Sequence, residues 1–160
     1  MVDSKQTVPL LPVDVLLLNA LIDDSRLSYR ELARLAGCSA ATAMKRVKRL
    51  EEIGVITKYT IGVKYSRIGY DMQAIIDVRI AKGKLSEMEK KIASHPNVFA
   101  CYDNTGQFDA TIIAKFRDRR SLDKFLKQIQ TYDFVERTET KLLLSTIKEH
   151  PIKLSTSIQQ

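Results

Sequence analysis

The sequence predicts an α+β chain of two domains: an N-terminal winged helix-turn-helix head and a C-terminal ferredoxin-like domain of order βαββαβ. Three observations lead there. Residues 28–56 read as two short helices joined by a tight turn, the second basic on its outer side, the layout that sets a helix into a DNA major groove. Residues 72–147 switch between strand-like alternation and helix-like spacing of their apolar positions. Between the two stretches, Ser66-Arg67-Ile68-Gly69 reads as a turn and a domain boundary.

Composition bounds the function. A chain of 160 residues can bury one large core or two small ones. Its net charge of +7 favours a polyanionic partner, and the charge is uneven. Between Arg26 and Lys58 eight basic residues face three acidic ones, a local excess of +5. No apolar run approaches the roughly 18–20 residues of a membrane span, and no secretory signal is evident. A cytoplasmic protein with no membrane partner is expected. Cys38 and Cys101 stand far apart in no metal spacing and read as reduced thiols. His95 and His150 lack ligand or catalytic partners at useful spacing. Neither a metal, a cofactor nor an enzymatic activity is expected.

Residues 1–12, with two prolines and no helical period, read as a flexible arm. The head spans residues 13–56. Asp14 is the expected N-cap of a first helix carrying Val15, Leu18 and Ile22 on its apolar face. Ser28 and Glu31 form a capping box that opens a second helix, with Leu32 and Leu35 on the expected buried side. Gly37 stops it, and Ser39 caps a third helix in which Ala43, Val47 and Leu50 make one buried stripe. Gly54 ends that helix. Residues 57–69 read as a connecting strand and linker with loose alternation at Tyr59, Ile61, Val63 and Tyr65.

The second domain spans residues 70–148. Met72 to Ile80 alternates as a half-buried strand, and Leu85, Met88 and Ile92 mark a helix ended by His95-Pro96. Strands follow at Val98 to Tyr102 and Phe108 to Phe116, around the turn sequence Asp103-Asn104-Thr105-Gly106. A second helix carries Leu122, Phe125, Leu126 and Ile129, and a last strand runs from Val135 to Ile147. The order βαββαβ packs two helices on one face of an antiparallel sheet and leaves the other open. Ile75, Ile113 and Leu142 or Leu144 are expected on that open side, where a second subunit would cover them. Residues 149–160 read as a polar tail.

The third helix is the expected DNA reader. Ser39, Ala40, Ala41, Thr42 and Lys45 lie nearest base edges, because the start of a recognition helix points into the groove. Arg46, Lys48 and Arg49 are expected on phosphates, with Tyr29, Arg30 and Lys58 beside them. The side chains of the helix's first turn are small and include no bidentate reader such as Asn, Gln or a central Arg. Modest specificity, leaning on DNA shape and on several dimers in series, follows.

Several fragments in this order resemble the Lrp/AsnC transcription regulators over about Val13 to Lys148. They are Arg26-Leu27-Ser28, Glu31-Leu32-Ala33, Arg46-Val47-Lys48-Arg49-Leu50-Glu51, Gly54-Val55-Ile56, Gly69-Tyr70, Cys101-Tyr102, Thr105-Gly106-Gln107-Phe108-Asp109 and Thr138-Glu139-Thr140. The resemblance implies a homodimer formed through the sheet face, assembly into octamers, and an amino-acid effector bound between dimers near Thr105 to Asp109. Thr105, Gly106, Gln107 and Asp109, with Thr138 and Thr140 of the last strand, are the effector residues it points to. There the turn's N–H groups would take an α-carboxylate and the Asp109 carboxylate an α-ammonium. The chain departs from the family pattern at Phe134, where a glycine usually precedes the valine, and at Gln107, where an acidic or other polar residue is common. The implied function is a regulator of amino-acid metabolism genes acting on double-stranded DNA. An architectural DNA-binding protein indifferent to any effector is the competing reading.

Overall fold

The computed structural model describes residues 7–155. Residues 1–6 of the expected arm and 156–160 of the expected tail lie outside the described residues. The chain divides into two compact units, residues 1–62 with 149–160 and residues 63–148.

The first unit holds helices α1 (Pro12–Asp23), α2 (Tyr29–Ala36) and α3 (Ala40–Glu52). Pro12, whose ring presets a helical φ, starts α1 two residues before the expected cap. Asp14 therefore is not the N-cap but sits inside the first turn, where its Oδ2 accepts the Leu11 N–H at 2.9 Å. The capping box of α2 forms as expected: the Ser28 N–H donates to Glu31 Oε2 at 2.7 Å, and the Glu31 N–H donates to Ser28 Oγ at 3.4 Å. Gly37, at φ 65°, turns the chain out of α2 in a conformation that side chains with a Cβ rarely adopt. Ser39 Oγ then accepts the Thr42 N–H at 3.1 Å and starts α3.

Leu17, Leu32, Ala33, Ala36, Ala43 and Val47 form the core of this unit. Its alanines let the helix backbones approach closely. Leu35, expected on the buried side, is 53% exposed. The buried edge of so short a helix is Leu32, Ala33 and Ala36, and Leu35 falls beyond it.

No strand follows α3 in the single chain: residues 57–64 carry no regular element, and Tyr65–Ile68 is a 3-10 turn. The expected connecting strand has no ladder partner among the described residues. Its first aromatic is nevertheless anchored, since the Tyr59 hydroxyl donates to Glu51 Oε1 at 2.6 Å.

The described part of the tail, residues 149–155, is held to α1. The Asn19 amide of α1 pairs with the backbone of Leu154 in both directions, donating to its C=O and accepting its N–H, each at 2.9 Å. Lys153 ion-pairs with Asp23 and donates to the Asn19 carbonyl. Together α1, residues 55–62 and the tail border an open groove of about 860 Å³, whose lining includes Lys58 but no other candidate site residue.

The second unit is one antiparallel sheet of β1 (Met72–Ile80), β2 (Val98–Asp103), β3 (Ala110–Phe116) and β4 (Val135–Leu143), in the order β2-β3-β1-β4. One face is covered by α4 and α5. Helix α4 runs over Leu85–Met88 and continues as a π turn over Glu89–Ala93; α5 is Arg119–Gln130. The register stacks Ala74, Ile76 and Val78 beside Ala114, Ile112 and Ala110 on the covered face, against Met88, Ile92, Leu122, Phe125 and Ile129.

The open face carries Ile75 and Ile113 in one row, as expected. Leu142, however, pairs with Ala74 in the covered row, and it is Leu143 that shares the open face with Gln73. Three consecutive leucines carry no alternation from which that parity can be read. The open face also holds a polar chain. Lys141 pairs with Asp77 at 2.8 Å, Thr111 donates to Asp77, and Asn104 donates to Thr111 at 2.6 Å.

Phe134, the departure from the family pattern, is buried. Its ring stacks on Tyr132 with centroids 5.2 Å apart, and its C=O accepts the Ala81 N–H at 2.9 Å. The turn before β4 is thus held by an aromatic anchor where a glycine would supply only backbone freedom. Among the described residues no helix is long and apolar enough to cross a membrane, and no group of three or more His, Cys, Asp or Glu could hold a metal ion.

Candidate functional site

The orientation of α3 follows from its two sides. Ala43, Val47 and Leu50 are buried and face α1 and α2. Arg46 lies on the edge of that buried stripe, and its guanidinium grips the carboxylate of Asp14. Nε donates to Oδ1 at 2.6 Å and the second nitrogen bonds Oδ2. Asp14 is fully buried. Burial alone would raise its pKa, but the Arg46 and Leu11 hydrogen bonds outweigh that, and the carboxyl is held below its ordinary value. Arg46 is correspondingly raised by the same pair.

The remaining expected DNA residues are exposed. Ala40, Ala41, Thr42, Lys45, Lys48 and Arg49 lie on the outer side of α3, with Tyr29 and Arg30 at the start of α2. Ser39 is exposed too, but its hydroxyl is engaged in the cap and bonds Thr42 Oγ1 at 2.8 Å. The structure therefore brings Lys45, Lys48 and Arg49 together on one face and separates Arg46 from them. Met44, which sequence reading passed over, is 41% exposed on the flank of the same helix. An apolar side chain off the buried stripe of a recognition helix was the signal for it.

The expected effector residues lie at one end of the sheet. The loop between β2 and β3 closes through the Asn104 N–H, which donates to the Asp109 C=O at 2.8 Å. Gly106 has a φ of 119°, open to glycine and strained for other residues. Thr105, Gly106 and Gln107 are exposed. Asp109 instead works for the scaffold. Its N–H donates to Val78 C=O at 3.0 Å, and its Oδ2 accepts the Ile80 N–H at 2.7 Å, beside the irregularity in the β1–β4 register. Val78 pairs on its other side with Thr138, and Ile76 pairs with Thr140. Loop and threonines thus flank the same stretch of β1, roughly two strand spacings or about 10 Å apart. Phe108 sits under the Arg137 guanidinium, 6.0 Å from its ring centre.

With this geometry in view, the relatives are informative. Residues 10–57 match the winged helix-turn-helix DNA-binding family, and residues 73–152 match the Lrp/AsnC ligand binding domain. An HTH-type transcriptional regulator of Pyrococcus furiosus is 40% identical over 137 residues, covering 86% of this chain and 93% of its own. The regulator FL11 of Pyrococcus horikoshii is 32% identical over 142 residues, covering 89% and 94%. The structure of Escherichia coli AsnC has a TM-score of 0.84 at 28% identity, covering 92% of this chain and 100% of its own. A regulator of Neisseria meningitidis solved with L-Met has a TM-score of 0.84 at 24% identity, covering 93% and 98%; at that identity the likeness speaks for the fold. The chain belongs to the Lrp/AsnC family of transcription regulators, with a DNA-binding head and a ligand-binding domain.

The Asp14–Arg46 pair gives a pH signature. Because the folded-state pKa of Asp14 lies below its unfolded value of about 3.9, the pair contributes fully above about pH 5 and is lost as pH falls through the folded value. Asp14→Asn should lower the stability of the full chain by about 3 kcal/mol near neutral pH. Urea unfolding should show the gap to wild type closing below about pH 4. A gap unchanged down to about pH 2 would contradict the assignment.

Proposed function

We propose that the chain regulates genes of amino-acid metabolism by binding operator DNA through α3, under control of an amino acid held between subunits at the 105–109 loop. The observation that carries the DNA reading is the exposed set Lys45, Lys48 and Arg49 on the outer side of α3. Its helix start, Ser39 to Thr42, is left open to a groove. In this reading Lys45 and Met44 approach base edges with Ala40, Ala41 and Thr42, while Lys48, Arg49, Arg30, Tyr29 and Lys58 hold phosphates. Ser39 shapes the helix start, and Arg46 serves the head rather than the DNA. Small side chains at Ala40, Ala41 and Thr42 keep discrimination by one head modest, so assembly of several heads supplies the rest.

The effector reading is supported by the match of residues 73–152 to a ligand-binding domain and by the exposed backbone of Thr105, Gly106 and Gln107. Asp109 positions that loop, and Thr138 and Thr140 complete the site from β4. Subunits pair through the open sheet face, with Ile75, Ile113 and Leu143 around the Asp77–Lys141 pair. A homodimer is the unit, and octamers are the higher assembly. An effector at such a contact acts only through its different affinity for the alternative assemblies.

Two measurements test these readings. Lys48→Ala with Arg49→Ala should weaken operator binding at least about tenfold and reduce the salt slope of binding by about 2, near 0.9 per lost phosphate contact. An unchanged slope would place the DNA elsewhere. Thermal unfolding with each of the twenty amino acids, methionine first, should rise for the effector, since a ligand at about 100 times its Kd adds about 2.7 kcal/mol. No shift with any of them would favour the architectural protein.

A further inference from the structure

Charge is distributed unexpectedly between the two units. Residues 1–62 with 149–160 hold 10 Lys and Arg against 8 Asp and Glu, a net of +2. The basic stretch of the head is offset by Asp3, Asp14, Asp23, Asp24 and Glu149. Residues 63–148 hold 16 against 11, a net of +5. Most of the excess therefore belongs to the ligand-binding domain, where binding a zwitterionic amino acid does not call for it.

That charge is ordered. On α5 the buried side is Leu122, Phe125 and Ile129. Arg120, Lys124 and Lys127 recur at i, i+4 and i+7 on the opposite side, and all three are exposed. Among the described residues no ion pair is seen for any of them, whereas other cations of this unit are engaged: Arg79 with Glu136, Lys84 with Glu87, Lys141 with Asp77. The N-cap Asp118 accepts the Ser121 N–H at 2.7 Å, and the one acid within the helix, exposed Asp123 beside Arg120 and Lys127, makes no ion pair with the three among the described residues. A further cation lies near the end of the helix. Gln128 donates to the Tyr132 hydroxyl at 3.1 Å, and Lys91 of α4 lies 5.3 Å above the Tyr132 ring. The three α5 cations span about 10 Å along the helix axis, the axial length over which one DNA strand presents about three phosphates.

We propose that the outward face of α5, extended by Lys91, is a second contact surface for the DNA backbone. It rests on the DNA-binding reading of the chain, since DNA is the polyanion this protein meets in that role. The surface carries no groove or bidentate readers, so its contribution is independent of sequence and depends strongly on salt. It would let the ligand-binding domain hold duplex outside the stretch read by α3.

The test uses the full-length protein and two duplexes carrying one operator, one of about 21 base pairs and one of about 150 base pairs. Binding is measured against salt for wild type and for Arg120→Gln with Lys124→Gln and Lys127→Gln. On the long duplex the variant should lose about 2 to 3 of the wild-type salt slope, at roughly 0.9 per phosphate, while the short duplex is bound alike by both. Equal slopes for both proteins on the long duplex would overturn the inference and leave the α3 reading intact. Wild type binding neither duplex would overturn both. Light scattering of the free variant is run alongside: unchanged assembly mass supports the DNA assignment, and a changed mass gives the stripe to a protein–protein contact instead. All three side chains are exposed, so thermal unfolding should match wild type.

Discussion

The buried pair of Asp14 and Arg46 is the constraint from which α3 takes its orientation within the head. An alanine- and valine-lined contact lets α3 approach α1 and α2 closely, but a stripe of small apolar groups resists rotation about the helix axis only weakly. A bidentate guanidinium–carboxylate pair resists it strongly, because both nitrogens must meet both oxygens. With Arg46 fixed inward, Lys45, Lys48 and Arg49 are fixed outward, since each residue along an α-helix advances by about 100°. The cationic face of α3 is thus set by an arginine that does not belong to it. Removing one partner leaves the other's charge inside, which is why such a pair is sensitive to single substitutions even where its net contribution is small.

The second unit is organised by register. The paired rows of β1 and β3 put apolar residues under α4 and α5 and leave mixed residues on the open face. Asp109 links two parts of this scheme: its backbone and carboxylate close the 105–109 loop onto β1 where the register shifts. The loop is held from below while Thr105 to Gln107 stay exposed. That division leaves a rigid base under an open turn.

Much of this could be read from residues alone, and the exceptions share a cause. Periodicity exposed β1 and β3 because Ala74, Ile76 and Val78, and Ala110, Ile112 and Ala114, alternate on the covered face, and capping chemistry at Ser28 and Ser39 placed α2 and α3. Each of those signals is local. Asp14 looked like a cap because capping and long-range pairing use the same residue type, and its partner lies 32 positions away. Arg46 looked like a phosphate ligand for the mirror-image reason. Leu142, Leu143 and Leu144 could not be assigned faces because nothing alternates, and the ladder with β1 decides it. The alternation at Tyr59, Ile61 and Val63 is real, yet a strand needs a neighbour and the single chain offers none there. The tail read as polar filler because one asparagine on α1, far away in sequence, holds its backbone. The loop residues are pointed to only by family resemblance; the scaffold role of Asp109 needed coordinates.

The most direct measurement is a double-mutant cycle on Asp14 and Arg46, with Asp14→Ala, Arg46→Ala and both together compared with wild type by urea unfolding. If the pair fixes the head, the coupling energy should be about 2 kcal/mol or more, and the double variant should be little worse than either single one. Additive costs to within about 0.5 kcal/mol would show two independent side chains and would return Arg46 to the DNA-facing set.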